Sequence, residues 1–488
     1  MSLTFVHTVT SQQIWDIWQT TWDGSMQFMR VPLTSPFDFG TPGPAASANI
    51  IVDDTTLYQQ IDGFGASLTD SSALVLDNLK NTNWDNYWKL LSYMFNPTYD
   101  ANSAGLNYIR VPLGASDFSA SLYSFDDVNG DTTFRQFNIS NAPSYLFSVL
   151  KDIISINNRV KVHVLPWSPP GWMKDTGTMN GGNLLPQYYD IYPTYLLKAV
   201  QGFQNQGIPI YAVGIQNEPQ NSNPTYPTCT ISSLVEAQLG NTLRTLLDDN
   251  GLGSVKIVAY EHNWDNASIY PVQVMQNAPH AFSGAAFHCY AASVSNQQTF
   301  HSAYPNKELY FTECTGTYGS DWWGDIKWYM NNIFIGSLHY WARAALMWNF
   351  ALDGSGNPLL PGATSCGGGC RPVVTVTSDG SYSLNQEFWS MAQASKAIVP
   401  RDSGGPFGQR IGVTVNGSLN WALVVGAYVV NRVNSGDWKQ YSLVVLNWAD
   451  NANGVWNPQP VTATIEFRGQ QVTYTFPVGV TTLWWFAS

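Results

Sequence analysis

The chain has 488 residues, a formal charge of −12 and only 11% charged residues, against the usual ~25%. Its length accommodates a large core and two domains, while its longest apolar run, WALVVGAYVV at 421–430, is about half of what a membrane-spanning helix needs. No basic cluster is present to neutralise phosphates, which excludes nucleic acid as a partner.

The N-terminal stretch MSLTFVHTVTSQQIW lacks the basic start and apolar middle of a signal peptide. The expectation is a secreted protein whose signal has been removed, with Met1 added. Strand-like pieces follow, MQFMRVPL at 26–33 and ANIIVDD at 48–54, too few to form a domain alone. From about 61 to 395, short apolar runs then alternate with helical patterns. The predicted strands are QIDGFGA (60–66), NYIRVPLG (107–114), RVKVHVLPW (159–167), IYAVGIQN (210–217), VKIVAYEH (255–262), GAAFHCY (284–290), ELYFTEC (308–314) and AALMWNFA (344–351). Helical patterns occupy 143–156, 231–249, 325–342 and 384–398. Eight such alternations predict a (β/α)8 TIM barrel over 61–399. A doubly wound sheet is the competitor, but no Gly-rich phosphate loop follows the first strand.

After about 405 the period changes to two. QRIGVTVNG, WALVVGAYVVNR, YSLVVLNWAD, VTATIEFRG and QVTYTFPVGVTTLWWFAS are separated by Gly and Asn turns, as in an antiparallel β-sandwich. The N-terminal pieces are expected to complete it, giving a discontinuous side domain of residues 1–60 and 400–488.

A barrel of this kind carries its chemistry at the C-terminal ends of its strands. Those ends read Arg110, Trp167, Asn217 with Glu218, His288 with Tyr290, Glu313, and Trp348 with Asn349. Glu218 and Glu313 lie 95 residues apart in the chain, so only the fold can join them. Across one barrel mouth two carboxyl groups lie ~5 Å apart in retaining glycosidases. In such a pair Glu218 is the acid/base and Glu313 the nucleophile, and the charge of Glu313 is expected to raise the pKa of Glu218. Asn217 would donate to a sugar hydroxyl, His288 and Tyr290 would hydrogen-bond Glu313, and Trp348 would floor the pocket. The bland alternatives are a buried ion-pair role for Arg110, a satisfied core histidine at His288 and packing alone for Trp348. Glu261, Asp117 and Asp70 are further carboxylates near strand ends. The 20 Trp and 25 Tyr include rings whose apolar faces and polar tips suit sugars. No G-x-S-x-G elbow supports a Ser-His-Asp enzyme.

Five cysteines give an odd count. Cys366 and Cys370 bracket three glycines in CGGGC, a candidate disulfide; a metal site would need further ligands at suitable spacing, and none is seen. The pairing of Cys229, Cys289 and Cys314 is open. Asn138, Asn266 and Asn416 are glycosylation acceptors.

IDGFGASLTDSSA (61–73), YIRVPLGASDFS (108–119), LPWSPPGWMK (165–174), IQNEP (215–219), FHCY (287–290) and YFTEC (310–314) together resemble glycoside hydrolase family 30, over essentially the whole chain. Within it, QNEPQNSNPTYPTC (216–229) and CGGGC are similar to the fungal endo-β-1,6-glucanase branch. The resemblance implies a retaining enzyme, with Glu218 as acid/base, Glu313 as nucleophile, and Arg110, Asp117, Trp167, Asn217, His288, Tyr290 and Trp348 lining the sugar site. It implies a polysaccharide substrate; the two-carboxylate mechanism requires no cofactor or metal, and a monomer is expected. Exo-acting β-glucosidase, glucosylceramidase or xylanase activity on the same scaffold is the alternative, and a non-catalytic carbohydrate-binding protein the remote one.

Overall fold

The computed structural model describes residues 12–488 except Thr34, Pro36 and Asn453. Most of the N-terminal stretch compared above with signal peptides therefore lies outside the described residues. Two compact units are present, one spanning Asp62–Ala392 and the other combining the segment that ends at Ile61 with Gln393–Ser488. The division falls inside the helix Gln386–Ile398, a few residues before the predicted boundary at 399.

The larger unit is a closed barrel of eight parallel strands. In chain order they are Gly63–Ser67, Tyr108–Pro112, Lys161–Leu165, Ala212–Gly214, Lys256–Asn263, Gly284–His288, Glu308–Glu313 and Ala342–Asn349, numbered one to eight below. The eighth pairs in parallel with the first, Ala345 opposite Phe64, so the sheet has no open edge and the doubly wound alternative is excluded. Tyr108, Ala212, Val258, Ala286, Tyr310, Ala344 and Leu346 form one buried cluster drawn from six of these strands. Two tyrosines and several short side chains thus make up the barrel's interior.

Helices fill the crossovers, and their starts are chemically marked. Thr69 caps Asp70–Thr82 by accepting from the Ser72 amide, and Ser232 caps Ser233–Asp249 by accepting from Val235. The helix expected over 325–342 is instead three pieces. Trp322–Tyr329 is α-helical, Met330–Phe334 is a π turn and Gly336–His339 closes the element. At Gly336 a Cβ would lie 1.9 Å from the Asn331 carbonyl oxygen, so only glycine allows the chain to close after the π turn.

The smaller unit is built on a ten-stranded sheet. Gln13–Thr21, a strand not singled out in the sequence, pairs antiparallel with Gly479–Ala487, and Ala48–Gln60 pairs antiparallel with Gln409–Asn416. One pair departs from the antiparallel expectation, since Ala48–Gln60 runs parallel to Val461–Phe467. Phe467 and Trp485 lie on strands far apart in ladder order, yet their ring centroids are 5.3 Å apart. The sheet therefore folds over on itself around Ile14, Ile50, Val425, Leu443 and Ile465, all fully or almost fully buried.

Candidate active site

The C-terminal ends of the barrel strands enclose a cavity of about 360 Å³ lined by Asp117, Trp167, Asn217, Glu218, Tyr226, Tyr290, Glu313, Trp348, Ser365 and Cys366, among others. Three local irregularities interrupt the strand ends around it. Ala285 pairs with Ala259 but Phe287 pairs with His262, so Tyr260 and Glu261 together oppose one residue. Both adopt positive φ, 77° and 46°, outside the usual range for non-glycine residues. The same slippage occurs at Thr312, which brings Glu313 opposite His288, and at Trp348. Glu218 also has positive φ, 45°, and its amide donates to the Glu261 carbonyl at 3.0 Å. Strained, bulged strand ends of this kind recur at functional sites.

Arg110 is the organiser. It is fully buried in strand two and donates through Nη1 to Glu313 Oε2 at 2.6 Å, and through Nη2 to Asn217 Oδ1 at 2.5 Å and to Glu261 Oε2 at 3.2 Å. Its guanidinium lies 4.8 Å from the Trp167 ring centroid and 5.7 Å from that of Trp348. Those two rings stack at 5.0 Å and form the floor. Arg110 is thus both an ion-pair residue and part of the cavity wall's support. Because Asn217 Oδ1 is taken by Arg110, the amide nitrogen is what Asn217 has to offer a ligand.

Tyr290 donates to Glu313 Oε1 at 2.9 Å, as expected. His288 does not bond Glu313; its Nδ1 lies 3.1 Å from Glu218 Oε1. The bulge at Thr312 sets Glu313 beside the guanidinium instead. A second histidine, His262, stands 3.7 Å from the same Glu218 oxygen, and Asn221 donates to Oε2 at 2.9 Å. His262 was missed because it follows Glu261 in a strand whose alternation would turn it elsewhere, and a bulge leaves no mark in the sequence.

These contacts reverse the expected electrostatics of Glu218. Burial pushes its carboxyl up, but His262 and His288 more than offset that and hold it below the usual carboxylate range. In His288 burial works downward, yet the Glu313 charge and the contacts to Glu218 and Glu261 raise it to about 9. In this geometry the proton of the pair resides on the histidine side. Glu218, His262 and His288 are also the set among the described residues whose donor atoms, all within 4.8 Å of one another, could hold a metal ion.

Glu261 is brought close but not into the cavity. It is fully buried, accepts from Thr312 at 2.6 Å and pairs with His163 at 3.0 Å. Burial would raise its carboxyl, but His163 and Arg110 hold it well below the ordinary range. Asp70 sits in the first turn of its helix and bonds Ser119 and Tyr123, away from the cavity. Asp117 does line the cavity: Ser365 donates to its Oδ2 at 2.6 Å, and its buried Oδ1 has no protein partner. Burial pushes this carboxyl up to about 7.

Cys366 and Cys370 are bonded in the loop after strand eight, and Cys289 is bonded to Cys314. Cys229 is free and buried. Asn138 and Asn416 are exposed, and Asn266 is partly buried. No described helix is long and apolar enough to cross a membrane.

Comparison with known proteins agrees with this geometry. Residues 61–397 match the model of the glycosyl hydrolase family 30 TIM-barrel domain. The chain is 34% identical to an endo-1,6-β-D-glucanase of Neurospora crassa over 73% of its own length and 74% of the relative's. It is 27% identical to the lysosomal acid glucosylceramidase of Mus musculus, over 62% and 61% respectively. Among solved structures, an endo-β1,6-glucanase superposes with a TM-score of 0.82 and 27% identity, covering 98% of this chain and all of that one. With the family model matching across the whole barrel and a relative at 34% identity over nearly three-quarters of both chains, the chain belongs to glycosyl hydrolase family 30 and is a glycoside hydrolase.

Proposed function

We propose that the protein is a secreted, retaining endo-hydrolase of β-1,6-glucan. The observation that carries the reading is the pair Glu218 and Glu313 on one cavity, with Arg110 and Tyr290 holding Glu313 and two histidines facing Glu218. Two hydrogen bonds orient the Glu313 carboxylate, and the stacked indoles beneath suit the C–H face of a sugar ring. In the first step Glu313 attacks the anomeric carbon, the glycosidic C–O bond breaks, and the leaving oxygen takes a proton from Glu218. In the second, water attacks the glycosyl ester, Glu218 accepts the water's proton, and Glu313 departs as carboxylate.

The proton for the first step is stored across the Glu218–His288 pair. Substrate displaces water and weakens the ionised form of Glu218, which draws the proton onto the carboxyl. The unpartnered Asp117 Oδ1 and the amide of Asn217 are the groups with capacity left for sugar hydroxyls. The polymer is taken from the relatives, an endo-1,6-β-D-glucanase of Neurospora crassa and another of Trichoderma harzianum, the latter 32% identical. Secretion is supported by two disulfides, which are rare in reducing compartments.

Likeness to the mouse glucosylceramidase keeps an exo-acting reading as the second one. Product sizes from linear β-1,6-glucan, β-1,3-glucan, xylan and glucosylceramide separate the two. A ladder of β-1,6-linked oligosaccharides in the first minutes is expected; glucose alone from the start would overturn endo action.

A further inference from the structure

The two disulfides share a neighbourhood. Cys366 lines the catalytic cavity, and the Cys289–Cys314 bond joins the ends of strands six and seven with a Cα–Cα distance of 5.4 Å. Cys289 lies between His288 and Tyr290, and Cys314 directly follows Glu313. This one bond therefore adjoins two cavity groups, the tyrosine that donates to Glu313 and Glu313 itself, and the fully buried histidine behind them that contacts Glu218.

The ladder between the two strands weakens at this point. Pairing is regular from Gly284 opposite Glu308 to Phe287 opposite Phe311, then slips past Thr312 so that His288 opposes Glu313. The contact beyond the slip, the Cys289 amide to the Glu313 carbonyl, is 3.3 Å long. Tyr290, one residue further, is 44% exposed, so packing alone does not fix the ring that holds the Glu313 carboxylate. On the other side, the Trp348 amide donates to the Cys314 carbonyl at 2.7 Å, which ties the same strand end to the cavity floor.

We propose that the Cys289–Cys314 disulfide is a positioning pair for the reaction: it holds Glu313 against Tyr290 where the ladder no longer does, so that turnover depends on this bond being oxidised. The proposal rests on the reading of Glu313 as nucleophile. Loss of the bond by reduction consumes one dithiol. A reductant thiolate attacks one sulfur to give a mixed disulfide, and its second thiol closes to a cyclic disulfide. Two electrons pass from reductant to protein, leaving Cys289 and Cys314 as thiols.

The test uses an activated fluorosugar β-glucoside, which esterifies the nucleophile and releases it slowly, read by intact mass and peptide mapping. The full-length Cys289→Ser/Cys314→Ser variant is compared with wild type below both melting temperatures. Expected is labelling at Glu313 at least about ten-fold slower at saturating reagent, because small displacements of a reacting group cost large rate factors, with the half-saturating concentration within about two-fold. If the cross-link merely stabilised the fold, its loss would lower the melting temperature and leave the saturating rate alone. A second arm covers failure to fold. In the Cys366→Ser/Cys370→Ser variant only Cys289–Cys314 is reducible; because Cys366 lines the cavity, that variant's own oxidised labelling rate is the reference, and dithiothreitol should slow labelling by the same factor relative to it, with reoxidation restoring it. An unchanged saturating rate in these arms overturns the positioning role while leaving the nucleophile in place. A label on a residue other than Glu313 overturns the nucleophile reading and the positioning role with it.

Discussion

At the residue scale, Glu218 and Glu313 face one cavity from the C-terminal ends of strands four and seven, a placement that their motifs at the ends of predicted strands already indicated. The partners of Glu218 were not legible. His288 was assigned to Glu313 and His262 to nothing, because bulges at Glu261 and Thr312 rotate both choices and have no composition of their own. His262 now carries a prediction. It helps to hold the Glu218 carboxyl below its usual range against the upward push of burial, so His262→Gln should let that carboxyl rise. In the proposed mechanism the alkaline limb of kcat/KM reports loss of the proton shared by Glu218 and His288. That limb should move to higher pH in the variant, as read from a rate profile on β-1,6-glucan. An alkaline limb that stays put or moves down would remove His262 from the account.

At the element scale, all eight barrel strands were visible as apolar runs spaced by helical patterns, since buried parallel strands are nearly continuous in hydrophobicity. What escaped was interruption within elements. The π turn at Met330–Phe334 sits in a stretch whose periodicity reads as one helix, and Trp341 with φ of 75° ends the element before Ala342 begins strand eight. Glycines mark close approach between elements more clearly. A Cβ on Gly65 in strand one would lie 1.7 Å from the Tyr108 carbonyl oxygen in strand two. Gly65→Ala must therefore part the two strands, at a cost of about 1–3 kcal/mol or more. The urea midpoint of unfolding should fall accordingly with little change in slope; a wild-type midpoint would contradict the packing described.

At the scale of the whole molecule, the discontinuous sheet was anticipated from the shortage of strands at the N-terminus, whereas the parallel pairing of Ala48–Gln60 with Val461–Phe467 was not, because period-two patterning is blind to strand direction. Charge distribution in the barrel unit sets a pH optimum for stability. Burial raises the carboxyls of Asp70, Asp117 and Glu236 to about 7, from roughly 4 in the unfolded chain. Between those values the folded state holds the extra protons, so stability is lost as pH rises through 7. His288, raised to about 9 despite burial, acts in the same direction at higher pH. Asp62 and Glu261 act oppositely. Burial would raise them, but Lys161 and Arg343 hold Asp62 down, and His163 and Arg110 hold Glu261 down, so their stabilisation is lost as pH falls below about 4. The melting temperature should therefore peak in mildly acidic buffer and be lower at both pH 3 and pH 8. A curve still rising at pH 8 would contradict these burial assignments.

The central claim is double displacement through Glu313 on β-1,6-glucan, and the stereochemistry of the first product tests it most directly. Proton NMR of a β-1,6-glucan digest, recorded before mutarotation equilibrates the new reducing ends, should show the β-anomer appearing first and the α-anomer growing in later. Appearance of the α-anomer first would mean a single displacement and would contradict the account.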